Sequence, residues 1–335
     1  MLPLSTRPVY DPEILARLTE GLSDSAAFSA READIQAFYQ AHDVGQYQKR
    51  DWRHHDYNLH HLDGLAYPIR DGHRVTGLGV GEYFAVLGSA SSFGSTVGTP
   101  YGAYLSAALG LPCLNLSHAG AGPEFYLKHH WEAVEPLLKG ARFVLIEAMP
   151  ARSVSNSRFR SIFGRGMAVD RADASRRDQM HKHMIALDKA GETELANTLI
   201  LESLERYEKQ MTRLIRACDG KAVLVWFSQR RPAAFRRGEL PGYDEVKRRR
   251  FLSNHPQFVD AEAVRRLCNR AGHSVLGVGS PGLPEQLVNR FTGEPVAFRH
   301  GDTKRSQSLQ TYYPSSQMHA ALGAALVETV APLMA

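Results

Sequence analysis

YFAVLGSASSFG, residues 83–94, decides how the rest of the chain is read. Tyr83-Phe84-Ala85-Val86-Leu87 has the length and composition of a fully buried strand. Beyond Gly88 the apolar run gives way to Ser89, Ser91, Ser92, Ser95 and Thr96. After Pro100, the apolar periodicity from Tyr101 to Leu109 predicts a helix. A strand, a loop of small residues and a helix, in that order, put the loop at the carboxyl edge of a parallel sheet, where α/β proteins hold ligands. Glycines there permit positive φ, and backbone N–H groups can hold an oxyanion or a phosphate. No lysine follows the glycine, so this is not a Walker loop. The plainer reading is a serine-rich loop that caps a helix.

Outward from this stretch, strand and helix patterns alternate. A strand at Pro112–Ser117 precedes a helix near 123–138, and a strand at Arg142–Met149 precedes a long polar helical region near 173–217. A fourth strand at Ala222–Phe227 leads into a basic loop, 229–258. A helix at 260–271 with Asp260 as N-cap leads to a fifth strand, His273–Val278. A long loop ends at Tyr312-Tyr313-Pro314, and a helix over 315–333 closes the chain. Alternation of this kind predicts right-handed crossovers and an α/β, doubly wound, three-layer sandwich with a five-stranded parallel sheet. Residues 1–80, helical and then irregular, read as an N-terminal extension on a domain spanning 81–335 that carries a helical insertion near 173–217. That insertion reads equally as a lid or a dimer contact.

The 335 residues include 43% hydrophobic and 22% charged residues, ordinary for a globular protein. No apolar run approaches the roughly 18 residues that cross a bilayer. The N-terminus lacks a basic segment followed by an apolar one, and Cys113, Cys218 and Cys268 form no CxxC pair, so a cytoplasmic location is expected. A formal charge of +5 falls short of a nucleic-acid arm, and no nucleic-acid partner is expected. The pairs His54-His55 and His60-His61, with Asp56 and Asp63, lack the spacing of a metal site, so neither metal nor cofactor is expected.

Four segments fall at loop positions along one sheet edge. The first is Gly88 to Gly94. The second, Asn115 to Pro123, offers Asn115 and the Gly120 turn. The third, Ala151 to Arg160, offers Arg152 and Asn156 as anion or oxyanion contacts. In the fourth, Tyr312 to His319, a histidine in the first turn of the last helix is placed to swing over the serine loop as general base. Arg230 opens the basic loop after the fourth strand, a plausible contact for phosphate, sulfate or an acidic glycan.

The order of these segments resembles the SGNH (GDSL-like) hydrolase and acyltransferase superfamily. That family has a strand ending in Gly-Asp-Ser-x-Thr-x-Gly, a second with Asn and a later Gly, a third followed by Asn, and a terminal Asp-x-x-His. Gly88 and Gly94 have the first motif's spacing, Asn115 and Gly120 match the second, Asn156 follows the third strand, and His319 opens the terminal helix. The departures are equally plain. Ala90 falls at the nucleophile's position, Ser89 at the aspartate's, and Ser316-Gln317-Met318-His319 lacks the orienting acid. The chain also resembles a bacterial family of unknown function with a GSAxTFG-like loop and an ARxxSN segment.

The resemblance implies a flavodoxin- or SGNH-like fold and a hydrolase or acyl-group transferase, esterase-like, acting on a polar, anionic or polysaccharide substrate. His319 is then the base and Ser91 or Ser89 the nucleophile. Gly88, Ser92, Asn115, Gly120, Arg152, Asn156 and Arg230 would bind the oxyanion or substrate. Two alternatives stand beside it. One is a sulfotransferase-like enzyme, with the loop at 88–92 cradling the donor's phosphosulfate and Arg152 to Asn156 its 3′-phosphate. The other is a non-catalytic carbohydrate- or anion-binding protein. A homodimer is compatible with each.

Overall fold

The computed structural model describes residues 3–297 and 308–334. The strands, in chain order, are β1 (Thr6–Pro8), β2 (Leu59–Leu62), β3 (Ile69–Arg70), β4 (Phe84–Leu87), β5 (Cys113–Asn115), β6 (Val144–Glu147), β7 (Phe159–Ser161), β8 (Met167–Asp170), β9 (Arg177–Gln179), β10 (Ala222–Ser228), β11 (His273–Val278), β12 (Glu285–Gln286) and β13 (Leu309–Gln310). The α-helices are α1 (Pro12–Thr19), α2 (Ser25–Ala41), α3 (Gly45–Asp51), α4 (Ala90–Phe93), α5 (Tyr101–Leu109), α6 (Trp131–Gly140), α7 (Met180–Lys189), α8 (Thr193–Ala217), α9 (Glu245–Ser253), α10 (Ala261–Ala271) and α11 (Ser316–Val330).

The main sheet has the order β1-β2-β3-β5-β4-β6-β10-β11. From β5 to β11 every pairing is parallel, and the chain visits those five strands as second, first, third, fourth, fifth. This is the doubly wound order, whose switch point lies between β4 and β6. Alternate residues face opposite layers. Phe84, Val86, Phe143, Leu145, Val223 and Val225 pack with α5 and α11, while Ala85, Leu87, Val144, Ile146, Leu224 and Trp226 join the larger core against α6, α8 and α10. β4, β6 and β10 are buried throughout, so they read as continuous apolar runs; β11, at the sheet edge, exposes Leu276 and Val278.

The five expected parallel strands are therefore present, but the sheet has eight. β1, β2 and β3 add antiparallel pairings beyond β5. They come from the segment read as helical and irregular. Leu59-His60-His61-Leu62 and Ile69-Arg70 are too short for a period of two to show. Around them α1, α2 and α3 build a cluster of their own, in which Tyr10, Phe28, Ile35, Tyr39 and Trp52 meet Phe93 of the serine loop.

The region near 173–217 also differs from expectation. Its first residues pair in a separate antiparallel sheet, β7-β8-β9, and the helix begins at Met180. α8 buries Leu199, Ile200, Leu204, Tyr207, Met211 and Leu214 against the core, so that face is not open to a lid or dimer role. Part of the long loop before Tyr312, residues 298–307, lies outside the described residues. Among the described residues no helix is long and apolar enough to cross a membrane.

Candidate active site

β6 ends in a carboxylate. Glu147 is fully buried among apolar residues, and its two oxygens gather five donors from the neighbouring segments. Ser89 donates from Oγ to Oε1 at 2.7 Å and from its backbone N–H to Oε2 at 2.8 Å. Ser92 donates from Oγ and N–H to Oε2 at 2.5 and 3.2 Å. His255, on the loop between α9 and α10, faces Oε1 from Nε2 at 2.8 Å. Burial alone pushes the carboxyl's pKa up, but the hydrogen bonds from His255, Ser92 and Ser89 outweigh it and hold the group below its ordinary value. Gly88 permits this approach, because a Cβ there would collide with Glu147 and Ser92.

The serine loop is braced from both sides. Tyr101 donates its hydroxyl to Ser92 Oγ at 2.8 Å, and Asn115 Nδ2 reaches Ser92 O at 3.1 Å. Asn115 Oδ1 accepts from Ser117 N at 3.1 Å, so this side chain ties two loops together and is not among the cavity's lining residues. From the N-terminal segment, Arg70 donates to the carbonyls of Phe93, Gly94, Val97 and Gly98, and Tyr57 Oη accepts from Thr96 N at 2.9 Å.

A cavity of about 1120 Å³ opens at the carboxyl ends of β4, β5, β6 and β10 and is lined on another side by the three-stranded β7-β8-β9 sheet and its β7–β8 turn. Ser89, Ser91, Gly120, Arg152 and Arg230 line it, as expected from the loop positions, and so do His118, Tyr312 and His255. The Ser91 hydroxyl has no protein partner among the described residues, and neither has Nδ1 of His255. An imidazole that gives its Nε2–H to a buried carboxylate presents Nδ1 as the basic nitrogen. The arrangement can therefore take a proton from a hydroxyl in the cavity and stabilise the resulting imidazolium.

Two expected residues stand elsewhere. His319 is fully buried, with Nδ1 accepting from Tyr101 N at 3.1 Å and its ring stacked on Tyr101 and edge-on to Phe227. Burial, with the nearby Arg70 charge, lowers its pKa to about 3. It caps α5 from inside the core and does not overhang the cavity. Asn156 is buried as well. Its Oδ1 accepts from Arg158 N and Phe159 N at 3.1 and 2.7 Å, and its Nδ2 reaches Ser203 Oγ at 3.2 Å, which closes a turn and leaves no oxyanion donor. Both corrections have one cause: a polar residue near a strand end satisfies its own backbone as readily as it faces a ligand.

Glu147 and His255 were not among the expected residues. A glutamate inside the apolar run Arg142–Met149 was the readable signal, since an ionisable group in a buried strand needs partners. His255 gave none beyond its place in the loop after the fourth strand. Among the described residues no group of three or more His, Cys, Asp or Glu is placed to hold a metal ion. His55 and His60 face backbone carbonyls of Thr96 and Asn58.

Residues 46–165 match the family model of a domain of unknown function, DUF6473. That stretch holds Arg70, the serine loop, Glu147 and Arg152. The likeness to solved structures is distant. A carbohydrate esterase family 2 enzyme with its carbohydrate-binding domain, from Corynascus thermopiles (Myceliophthora fergusii), is 12% identical at a TM-score of 0.37, covering 82% of this chain and 71% of that one. A Slackia heliotrinireducens protein classed with the SGNH hydrolases is 12% identical at a TM-score of 0.38, covering 75% and 99%. A Parabacteroides merdae protein classed with the GDSL-like lipases is 12% identical at 0.35, covering 75% and 97%. No curated protein matches. The chemistry is accordingly argued from this chain's own residues.

Proposed function

We propose that the protein is a hydrolase or acyl-group transferase acting on a polar, anionic or glycan-borne ester, with His255 as its base and Glu147 as the residue that positions it. The observation that carries this reading is the buried Glu147 carboxylate holding His255 Nε2 at 2.8 Å beside a cavity that Ser91 also lines. The sequence lacks the acid of a terminal Asp-x-x-His, and in this reading Glu147 supplies it from another strand. Ser91 attacks the acyl carbonyl while His255 Nδ1 takes its proton, and Glu147 stabilises the imidazolium. The same nitrogen then protonates the departing alkoxide, and a water or acceptor hydroxyl releases the acyl group by the reverse transfer. Gly120 is the candidate to face the oxyanion. Ser89 supports Glu147.

The sulfotransferase-like alternative finds no comparable support. The amides of Ser89 and Ser92, which would have to cradle the donor's phosphosulfate, are directed at Glu147. Cleavage of 4-nitrophenyl acetate tests the proposal. The wild type should turn it over, and His255→Ala should lower kcat/KM by about 10²- to 10⁴-fold. Glycan binding without turnover of any ester would instead favour a non-catalytic binding protein, and full activity in His255→Ala would remove the mechanism.

A further inference from the structure

The wall of the cavity has a one-sided charge. Arg50, Arg152, Arg165, Arg177 and Arg230 line it, and among the described residues no aspartate or glutamate does. Several arginines outside the cavity find carboxylates. Within the basic loop read from the sequence, Arg248 pairs with Asp188 at 2.6 Å and Arg237 with Asp260 at 2.8 Å, and in α10 Arg266 pairs with Glu208 at 2.7 Å. Two of the cavity's arginines are also occupied. Arg50 pairs with Asp51 at 2.5 Å, and Arg230 lies over Trp226 and Phe235 while donating to the carbonyls of Pro256 and Val259.

Arg152, Arg165 and Arg177 have no carboxylate partner among the described residues. Arg152 is set beside the base, because Ala151 N donates to Gln257 O at 3.0 Å, two residues beyond His255. Its Nε is buried without a partner. The β7–β8 turn is shaped around it as well. Gly166, at φ +82°, lies against the guanidinium so closely that any Cβ would collide with it. Arg165, in the turn between β7 and β8, and Arg177, on β9, line the same cavity. Three guanidinium groups without carboxylate partners line one cavity, and their planar forks suit the oxygens of a carboxylate, sulfate or phosphate.

We infer that the occupant of this cavity carries an oxyanion group separate from its ester, gripped by Arg152 on the main-sheet side and by Arg165 and Arg177 on the β7-β8-β9 side. The inference rests on the acyl-transfer reading for what happens to the ester, and on the arginines alone for binding. Calorimetric titration with glucuronate, glucose 6-sulfate, glucose 6-phosphate and neutral glucose, at about 0.15 M salt, tests it. At least one charged sugar should bind where glucose does not, and which one binds separates carboxylate, sulfate and phosphate recognition. Arg152→Gln should weaken that binding at least about ten-fold, and so should Arg165→Gln, whose exposed position keeps the fold out of the result. Charged sugars that bind no better than glucose overturn the inference, as does wild-type affinity in both variants. Binding of a charged sugar without turnover of any ester leaves this inference standing and removes the acyl-transfer reading. Cleavage of 4-nitrophenyl acetate that no charged sugar inhibits does the reverse.

Discussion

Glu147 holds the serine loop together and, in the proposed mechanism, also positions the base. Five donors converge on it, so an amide in its place must either turn its NH₂ against the Ser89 and Ser92 backbone N–H groups, which can only donate, or turn it to the other side and force Ser89 Oγ and His255 Nε2 to accept instead. Glu147→Gln should cost about 3 kcal/mol of stability and release the serine loop. It should also lower kcat for ester cleavage, because His255 loses the partner that orients it. Urea denaturation and kcat measured on the folded variant check the two effects separately. A variant as stable as the wild type would show that the buried carboxylate is not satisfied in the way described. Legibility at this scale was uneven. Loop positions sufficed to put Ser89, Ser91 and Arg152 at the cavity wall, whereas His319 faces the core, because a histidine in a first helical turn carries no mark of which way it faces.

At the scale of elements, the serine loop depends on strands that precede it. Arg70 on β3 is buried and satisfies four carbonyls between Phe93 and Gly98, while Gly94 ends α4 in the left-handed region at φ +79°. Arg70→Met fills similar space without donors and should cost about 4 kcal/mol, since several buried carbonyls lose their partners at once. Hydrogen exchange should then quicken at Phe93 to Gly98 before it does so in β10. Equal protection of that loop in wild type and variant would contradict the bracing role. The sequence could not show this. β3 is two residues long, and nothing local in Ile69-Arg70 reveals that its side chain spans to a loop more than twenty residues away.

For the whole molecule, we propose that residues 1–80 are part of one folding unit with the rest. They supply three strands, the Arg70 and Tyr57 contacts and the cluster that receives Phe93. A chain of 81–335 alone should be insoluble or lack a cooperative unfolding transition, and a sharp transition in that fragment would refute the point. Stability should also depend on pH in a definite direction. Burial lowers the pKa of His319 to about 3 and of His118 and His55 to about 4. Between those values and about 6.5 the unfolded chain binds protons that the folded chain excludes, so stability falls as pH drops through that window. Glu147 acts in the same sense lower down, its contribution fading as pH falls through its depressed folded value. Urea midpoints at pH 7 and pH 5 should separate for the wild type, and His319→Gln should lose about 2 kcal/mol less between them. An unchanged difference would remove His319 as a source.

What the sequence determined by itself was the parallel sheet and the small-residue loops at its carboxyl edge. Strands buried on both faces are written as apolar runs, and small residues after such runs mark the ligand-bearing loops. Tertiary structure alone decided the partners: that Glu147 meets His255 across more than a hundred residues, that Arg70 reaches the serine loop, and that the β7-β8-β9 sheet brings two further arginines to the cavity Arg152 lines. The physical reason is range. Periodicity and turn chemistry act over a few residues, whereas the pairing of a buried charge depends on which distant segments the packed sheet brings within hydrogen-bonding distance.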